Sequence, residues 1–225
     1  MSQWNTFLVN ARRSLFNQAH THKIYLERIQ LELPPRARVL EAGCGLAYLS
    51  KLLADAGYQV TAGDIDEAVL ASAQQGLCPT GIDFVKLDLL SLSKQFGPHT
   101  FDAIVHSGVM EHFSDALIVQ SMQEQRQVAK AVIFKVPNGR STMTPKHFGN
   151  ERFLSDAHWV DLIRSAGFEQ VQVYGGESVP LWAHLLPAVF HLYPKRGASD
   201  QRNRLLARLS HWRRWVSRHS IFVCR

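Results

Sequence analysis

Apolar residues change period several times along this chain, and each change marks an element. Residues 7–31 place Phe7, Leu8, Leu15, Phe16, Ile24, Leu26 and Ile29 at mixed three- and four-residue intervals around Arg12, Arg13, Lys23 and Arg28. This is the pattern of an amphipathic helix, and Pro34-Pro35 ends it. Residues 37–40 form a short apolar run that breaks at Gly43-Cys44-Gly45, directly before Leu46, Leu49, Leu52, Leu53 and Ala56 at helical spacing. Gly57 closes that helix, and a second strand over 58–62 ends in Gly63-Asp64. A helix over 66–75 follows, then a third strand over 82–87 terminating in Asp88-Leu89. Further strands are predicted over 101–105 and 131–136, with a helix over 114–128 between them. A helix from 155 to 166, a sixth strand over 171–175 and a last strand over 221–224 complete the pattern. Strands alternating with helices in this way predict an α/β fold with a doubly wound sheet.

Length and composition narrow the picture without changing it. A chain of 225 residues with 46% hydrophobic content can bury one substantial core, so 1–225 reads as a single domain. Residues 1–35 form a helical N-terminal segment, and 177–219 are an insertion before the last strand, longer than an ordinary connection. No apolar run approaches the ~20 residues that span a bilayer, and residues 1–4 open no signal peptide. Cys44, Cys78 and Cys224 make neither an even disulfide framework nor a metal-ligand cluster, which fits a reducing cytoplasm.

The net charge of +6 is unevenly distributed. Residues 195–225 carry nine Lys or Arg against the single acid Asp200, a balance of +8 that leaves the first 194 residues at −2. In the insertion, Leu205, Leu209, Trp212 and Val216 fall on one helical face with arginines opposite. Such a basic amphipathic helix can lie on an anionic surface, bind RNA phosphates, or dock on its own domain; docking is favoured because the insertion must cover the site.

The chemistry gathers where strands end. Gly43 and Gly45 let the backbone turn tightly and admit a ligand close to the main chain. Asp64, about 20 residues further on, stands where an acid accepts hydrogen bonds from ribose hydroxyls. Glu41 decides which nucleotide. A turn that cradles pyrophosphate uses backbone N–H groups and a helix dipole to attract negative charge, and a carboxylate two residues before the first glycine repels it. A positively charged ligand suits the turn better, and a nicotinamide-dependent oxidoreductase is disfavoured on the same ground.

The run VLEAGCGLAYLSKLL resembles the first motif of class I S-adenosylmethionine-dependent methyltransferases, with Ala47 where that family has its third glycine. The resemblance covers residues 37–175 and resumes at 220. It implies a seven-stranded Rossmann-like sheet whose last strand runs antiparallel between the fifth and sixth, a first helix covering the cofactor pocket, and S-adenosyl-L-methionine as cofactor. By the same resemblance Glu41 lies near the methionine amino group, Asp64 holds the ribose, Ile65 packs on the adenine, Asp88 accepts from the adenine amino group with the Leu89 N–H beside it, and His106 opens toward the methyl group. Tyr25 and His22 on the first helix are weaker candidates for ligand contact, since a polar residue on a helix is more often merely solvated.

Residues 101–113, FDAIVHSGVMEHF, carry the transfer chemistry if any segment does. An oxygen or nitrogen acceptor that bears a proton needs a base, and His112 is the candidate because imidazole as a side chain works near neutral pH, with Glu111 to orient it or face the cofactor. A role for both as helix caps weighs about equally. Related methyltransferases hold a divalent ion with Glu-x-x-Glu-His; here the first carboxylate is absent, so metal-free catalysis is expected, with His147 completing at best a poorer site. The polar loop 140–152 supplies Arg140, His147, Asn150 and Arg152 as candidate acceptor contacts. Two basic residues facing the acceptor would suit an acid. The expected activity is methyl transfer to a small molecule. An RNA- or lipid-associated methyltransferase, or a non-catalytic cofactor-binding module acting through residues 195–225, are the alternatives, and a homodimer is compatible with either.

Overall fold

In the computed structural model, the residues described are 15–76, 81–139, 150–176 and 219–225. The basic insertion, the first turns of the N-terminal segment and most of the 140–152 loop, including Arg140 and His147, lie outside them. Seven strands form one sheet: β1 (Arg38–Ala42), β2 (Gln59–Asp64), β3 (Ile82–Lys86), β4 (Ala103–Ser107), β5 (Val132–Pro137), β6 (Val171–Gly175) and β7 (His219–Cys224). Their order is β3-β2-β1-β4-β5-β7-β6. All neighbours run parallel except β7, which is antiparallel to both β5 and β6. The order reverses between β1 and β4, and the crevice outside the strand ends at that point is where open α/β sheets bind ligands.

Helices α1 (Leu15–Glu32), α2 (Tyr48–Asp55) and α3 (Glu67–Gly76) cover one face; α4 (Asp115–Val128) and α5 (Asp156–Ser165) cover the other. Strand alternation sorts side chains between the two layers. On β1, Val39 packs with α1 to α3, whereas Leu40 and Ala42 pack into the opposite layer with Ile104 and Val128. On β5, Ile133 faces the first layer, while Val132, Phe134 and Val136 meet Ile118, Met122 and Trp159. Ser114 and Ser155 cap α4 and α5 by accepting from Leu117 N–H and His158 N–H.

Helix α1 is fastened to the sheet by one side chain. Tyr25 is fully buried, and its hydroxyl accepts from His106 N–H (3.1 Å) and faces the carbonyls of Ile133 (2.5 Å) and His106 (2.9 Å). Its single proton serves one carbonyl at a time, with Ile133 the nearer. Further along, Arg28 lies 3.6 Å from the centre of the Tyr174 ring and pairs with Glu32, which also pairs with Arg225. These contacts join α1 to β4, β5, β6 and the residue after β7. Tyr25→Phe keeps the ring but strips a buried donor and acceptors of their partner. It is expected to lower unfolding free energy by about 1–3 kcal/mol, read from the midpoint in urea.

Candidate cofactor and active site

The turn after β1 is bound to the tip of β2 through its backbone. Gly43 and Cys44 donate their N–H groups to the Gly63 carbonyl (2.8 and 2.9 Å), and Gly45 N–H donates to Asp64 Oδ2 (3.0 Å). The second oxygen of Asp64 accepts from Asp66 N–H (3.1 Å). Gly43 has φ +74°, and a Cβ there would stand 2.6 Å from Val109 Cγ2, so both conformation and packing require glycine. Ala47 occupies the left-handed region as well, at φ +57°, immediately before α2. The third-glycine position therefore keeps its backbone geometry although it carries a methyl group.

Around that turn, sequence-predicted residues divide into two groups. Glu41 is only 5% exposed and accepts a hydrogen bond from Ser50 Oγ on α2. Burial raises its pKa to about 8, with the Asp64 charge adding to the rise. Asp64 is also pushed up, by desolvation first, against the lowering effect of its backbone donors. Ile65 stands 62% exposed at the tip of β2, an apolar surface placed for a flat base to cover. Asp88 is exposed just past β3, with Oδ1 accepting from Leu90 N–H (2.9 Å), while Leu89 is buried. Glu41, Gly43, Gly45, Asp64 and Ile65 thus come together at β1 and β2, with Asp88 and Leu89 beyond β3.

His106 differs in kind. Its ring is wholly buried, stacked on Phe134 at 5.1 Å in the layer of α4 and α5, and burial lowers its pKa to about 3. What His106 presents to the Tyr25 side is its backbone.

The remaining sequence-predicted residues gather at the ends of β4 and β5. Gly108 N–H donates to the Lys135 carbonyl (3.1 Å), and the chain then makes one 3-10 turn, Met110–His112. Glu111 is 5% exposed, and its Oε2 has no hydrogen-bond partner. Its pKa rises to about 8, by desolvation and then by the nearby charge of Glu151, while Lys135 opposes the rise. His112 is half-buried and its Nδ1 meets Asn150 Oδ1 at 2.8 Å. Because that oxygen only accepts, Nδ1 is the nitrogen that carries a proton in this contact. Arg152 donates to the Phe113 carbonyl and to Asp115 Oδ1 (2.6 Å each), and its N–H to the Glu111 carbonyl (2.9 Å). Its described contacts pin residues 150–152 to the turn that bears Glu111 and His112.

Lys135, Glu151 and Ser50 were not singled out by sequence reasoning. Lys135 is buried in β5 amid VIF and VP, and a lysine inside so apolar a strand was the available signal. Burial and the Lys135 charge together lower the pKa of His22 to about 3. Among the described residues, no group of three His, Cys, Asp or Glu side chains is placed to hold a metal ion, and no helix is long and apolar enough to cross a membrane.

Residues 39–131 match the family model of a methyltransferase domain. The chain is 30% identical over 162 residues to a protein of Mycolicibacterium smegmatis named as a probable S-adenosylmethionine-dependent methyltransferase, covering 68% of this chain and 60% of that protein. It is 38% identical over 77 residues to the ubiquinone biosynthesis O-methyltransferase of Dechloromonas aromatica, 33% of each chain. The matches thus span less than two thirds of these curated relatives. A solved S-adenosylmethionine-dependent methyltransferase of Archaeoglobus fulgidus superposes with a TM-score of 0.67 at 15% identity, covering 99% of both chains, and shares the fold.

Residues 39–131 thus carry a methyltransferase domain, on a sheet whose order and antiparallel seventh strand are those of the S-adenosylmethionine-dependent methyltransferases it resembles. The cofactor of that family is S-adenosylmethionine, and the residues present fit it. A buried carboxylate at Glu41 suits an ammonium, the Asp64 carboxylate suits two hydroxyls, and the exposed Ile65 suits an adenine face.

Asp64→Ala is expected to abolish measurable S-adenosylhomocysteine binding in calorimetry while the far-UV circular dichroism stays unchanged. A second expectation concerns pH. A ligand ammonium favours the ionised form of Glu41, whose pKa is about 8 in the free protein. Affinity should therefore rise from pH 6 to pH 8, by at most about tenfold per unit. Glu41→Gln should flatten that dependence. The free protein follows the opposite trend, because carboxyl groups with raised pKa values hold protons that the unfolded chain has released. Its stability falls as pH rises between about 4.5 and 8.

Proposed function

We propose that the protein transfers a methyl group from S-adenosylmethionine to an oxygen or nitrogen of a small-molecule acceptor. The observation that carries the reading is the Asp64 carboxylate at the end of β2, fixed by Gly45 N–H one strand from the sheet's switch point, with the buried Glu41 on β1 between them. Acids at successive strand ends favour a cationic nucleoside over a phosphate-bearing coenzyme. When bound, the cofactor supplies a methyl group on a positively charged sulfur, reactive toward a lone pair in line with the C–S bond.

The chain's own work is then alignment, exclusion of water and removal of a proton. Tyr25 and α1 close the site from one side, and the segment pinned by Arg152 closes it from the other. Glu111 and His112 sit next to one another on the turn after β4 and are the proton-accepting groups. The Asn150 contact holds the His112 ring in the tautomer that a base requires. An acidic acceptor would have to draw on Arg140 and His147, because the guanidinium of Arg152 already engages Asp115. The name of the Dechloromonas relative describes an O-methyltransferase, which supports a small acceptor of that general kind.

His112→Ala is expected to lower kcat by about 100-fold or more with S-adenosylhomocysteine affinity within threefold of wild type. Single-turnover kinetics with labelled donor and calorimetry check the two halves. Wild-type turnover in that variant would assign His112 to holding Asn150 alone.

A further inference from the structure

Ser50 reaches Glu41 across the seam between sheet and helix. Alternation along β1 turns Glu41 to the same side as Val39, toward the layer of α1 to α3, and Ser50 is the third residue of α2 in that layer. The serine is wholly buried, and its hydroxyl donates to Glu41 Oε2. The Ser50 N–H belongs to the first turn of α2, whose donors have no carbonyl partner within the helix, and it also favours the ionised form of Glu41. A serine in a helix can instead turn its hydroxyl back on the carbonyl four residues earlier, and alanine is the better helix former. The serine here serves its partner on β1 and not its own helix.

The other ionisable groups that act with Glu41 come from three elements: Asp64 at the end of β2, Cys44 in the glycine turn and Tyr25 on α1. Burial raises the pKa of the Cys44 thiol and of the Tyr25 phenol, so both stay neutral, and the charge that Asp64 brings is negative. No lysine or arginine among the described residues pairs with Glu41, so the countercharge for its carboxylate is left to a ligand. With a pKa of about 8, Glu41 is mostly the acid in the free protein near pH 7, and an ammonium that binds beside it must expel the proton. Resting on the methyltransferase reading, we infer that Ser50 is a positioning residue for the cofactor's ammonium, acting through Glu41: its hydroxyl fixes the carboxylate in orientation and holds it in the charged form that the ammonium meets. Of the contacts that oppose the effect of burial on Glu41, the Ser50 hydroxyl is the strongest. Without that donor the carboxyl group keeps its proton to higher pH, and the ammonium meets a neutral acid over a wider range.

The test follows S-adenosylhomocysteine binding to the full chain by calorimetry from pH 6 to pH 9. The amino group of the ligand titrates alike with every variant, so the difference between proteins is what is read. Ser50→Ala is expected to move the rise of affinity with pH upward by about one pH unit and to weaken binding at pH 7.5 by about fivefold or more. Ser50→Cys has nearly the same size and only a weak donor; it should behave likewise, and it carries the comparison should thermal melts show that the alanine variant does not fold. 5′-Methylthioadenosine keeps the adenosine and the thioether but has no ammonium, and its affinity should change by less than about twofold. In a Glu41→Gln background, Ser50→Ala should alter S-adenosylhomocysteine affinity by less than about twofold, because the two side chains act as one unit. An unmoved pH profile, an equal loss for both nucleosides, or an undiminished effect in the Glu41→Gln background assigns Ser50 to packing alone and overturns the inference. Failure of the wild-type chain to bind S-adenosylhomocysteine overturns instead the methyltransferase reading, so the two failures are told apart.

Discussion

Four backbone hydrogen-bond groups hold the glycine turn against β2, and the rest of the site takes its geometry from them. Gly43 and Cys44 share the Gly63 carbonyl, and Gly45 anchors the Asp64 side chain. The turn thereby loses its freedom before any ligand arrives, so little ordering remains to oppose binding. Val109 packs against Gly43, where a side chain does not fit, and this links the turn to the segment leading into Glu111 and His112. The turn after β1 and the turn after β4 are joined through that contact.

Electrostatics in the site are governed by burial more than by pairing. Glu41 and Glu111 each lie almost wholly out of water, one accepting from Ser50 and the other with an oxygen unpaired. In such surroundings an isolated carboxylate is far less stable than a carboxylic acid. The two groups serve different partners, however. Glu41 belongs to the layer of α2, next to Asp64, whereas Glu111 answers to Glu151 and Lys135. The strand ends therefore carry two separate buried acids with raised pKa values, one after β4 and one within β1.

Most of the sheet was legible from the chain because its strands are bounded by glycine, proline or aspartate. Gly57, Gly63-Asp64 and Pro137 each fall within a residue or two of a strand or helix end. The antiparallel β7 between β5 and β6 was anticipated by family resemblance, not by periodicity, since Ile221-Phe222-Val223-Cys224 says nothing about its neighbours. The glycine turn and Asp64 were equally legible, because main-chain conformation and spacing carry their meaning. Side-chain direction was harder. His106 was placed toward the methyl group, yet strand alternation turns its ring to the α4 and α5 layer beside Phe134. Tyr25 read as one polar residue among several on a helix, and only tertiary packing shows its hydroxyl bonded to two strands. Glu151 carried no sequence signal at all, since its burial arises where residues 150–152 lie against the distant turn at Glu111.

The position of β7 bears on how the molecule is made. β5 and β6 precede it in the chain but do not touch each other, for β7 fills the space between them. A nascent chain emerging from the ribosome can assemble β1 through β5 and must wait for residues 219–224 before that half of the sheet closes. Until then β5 presents an unpaired rim of wholly buried-type residues, VIFKVP, which makes the interval before completion the time of greatest exposure to aggregation.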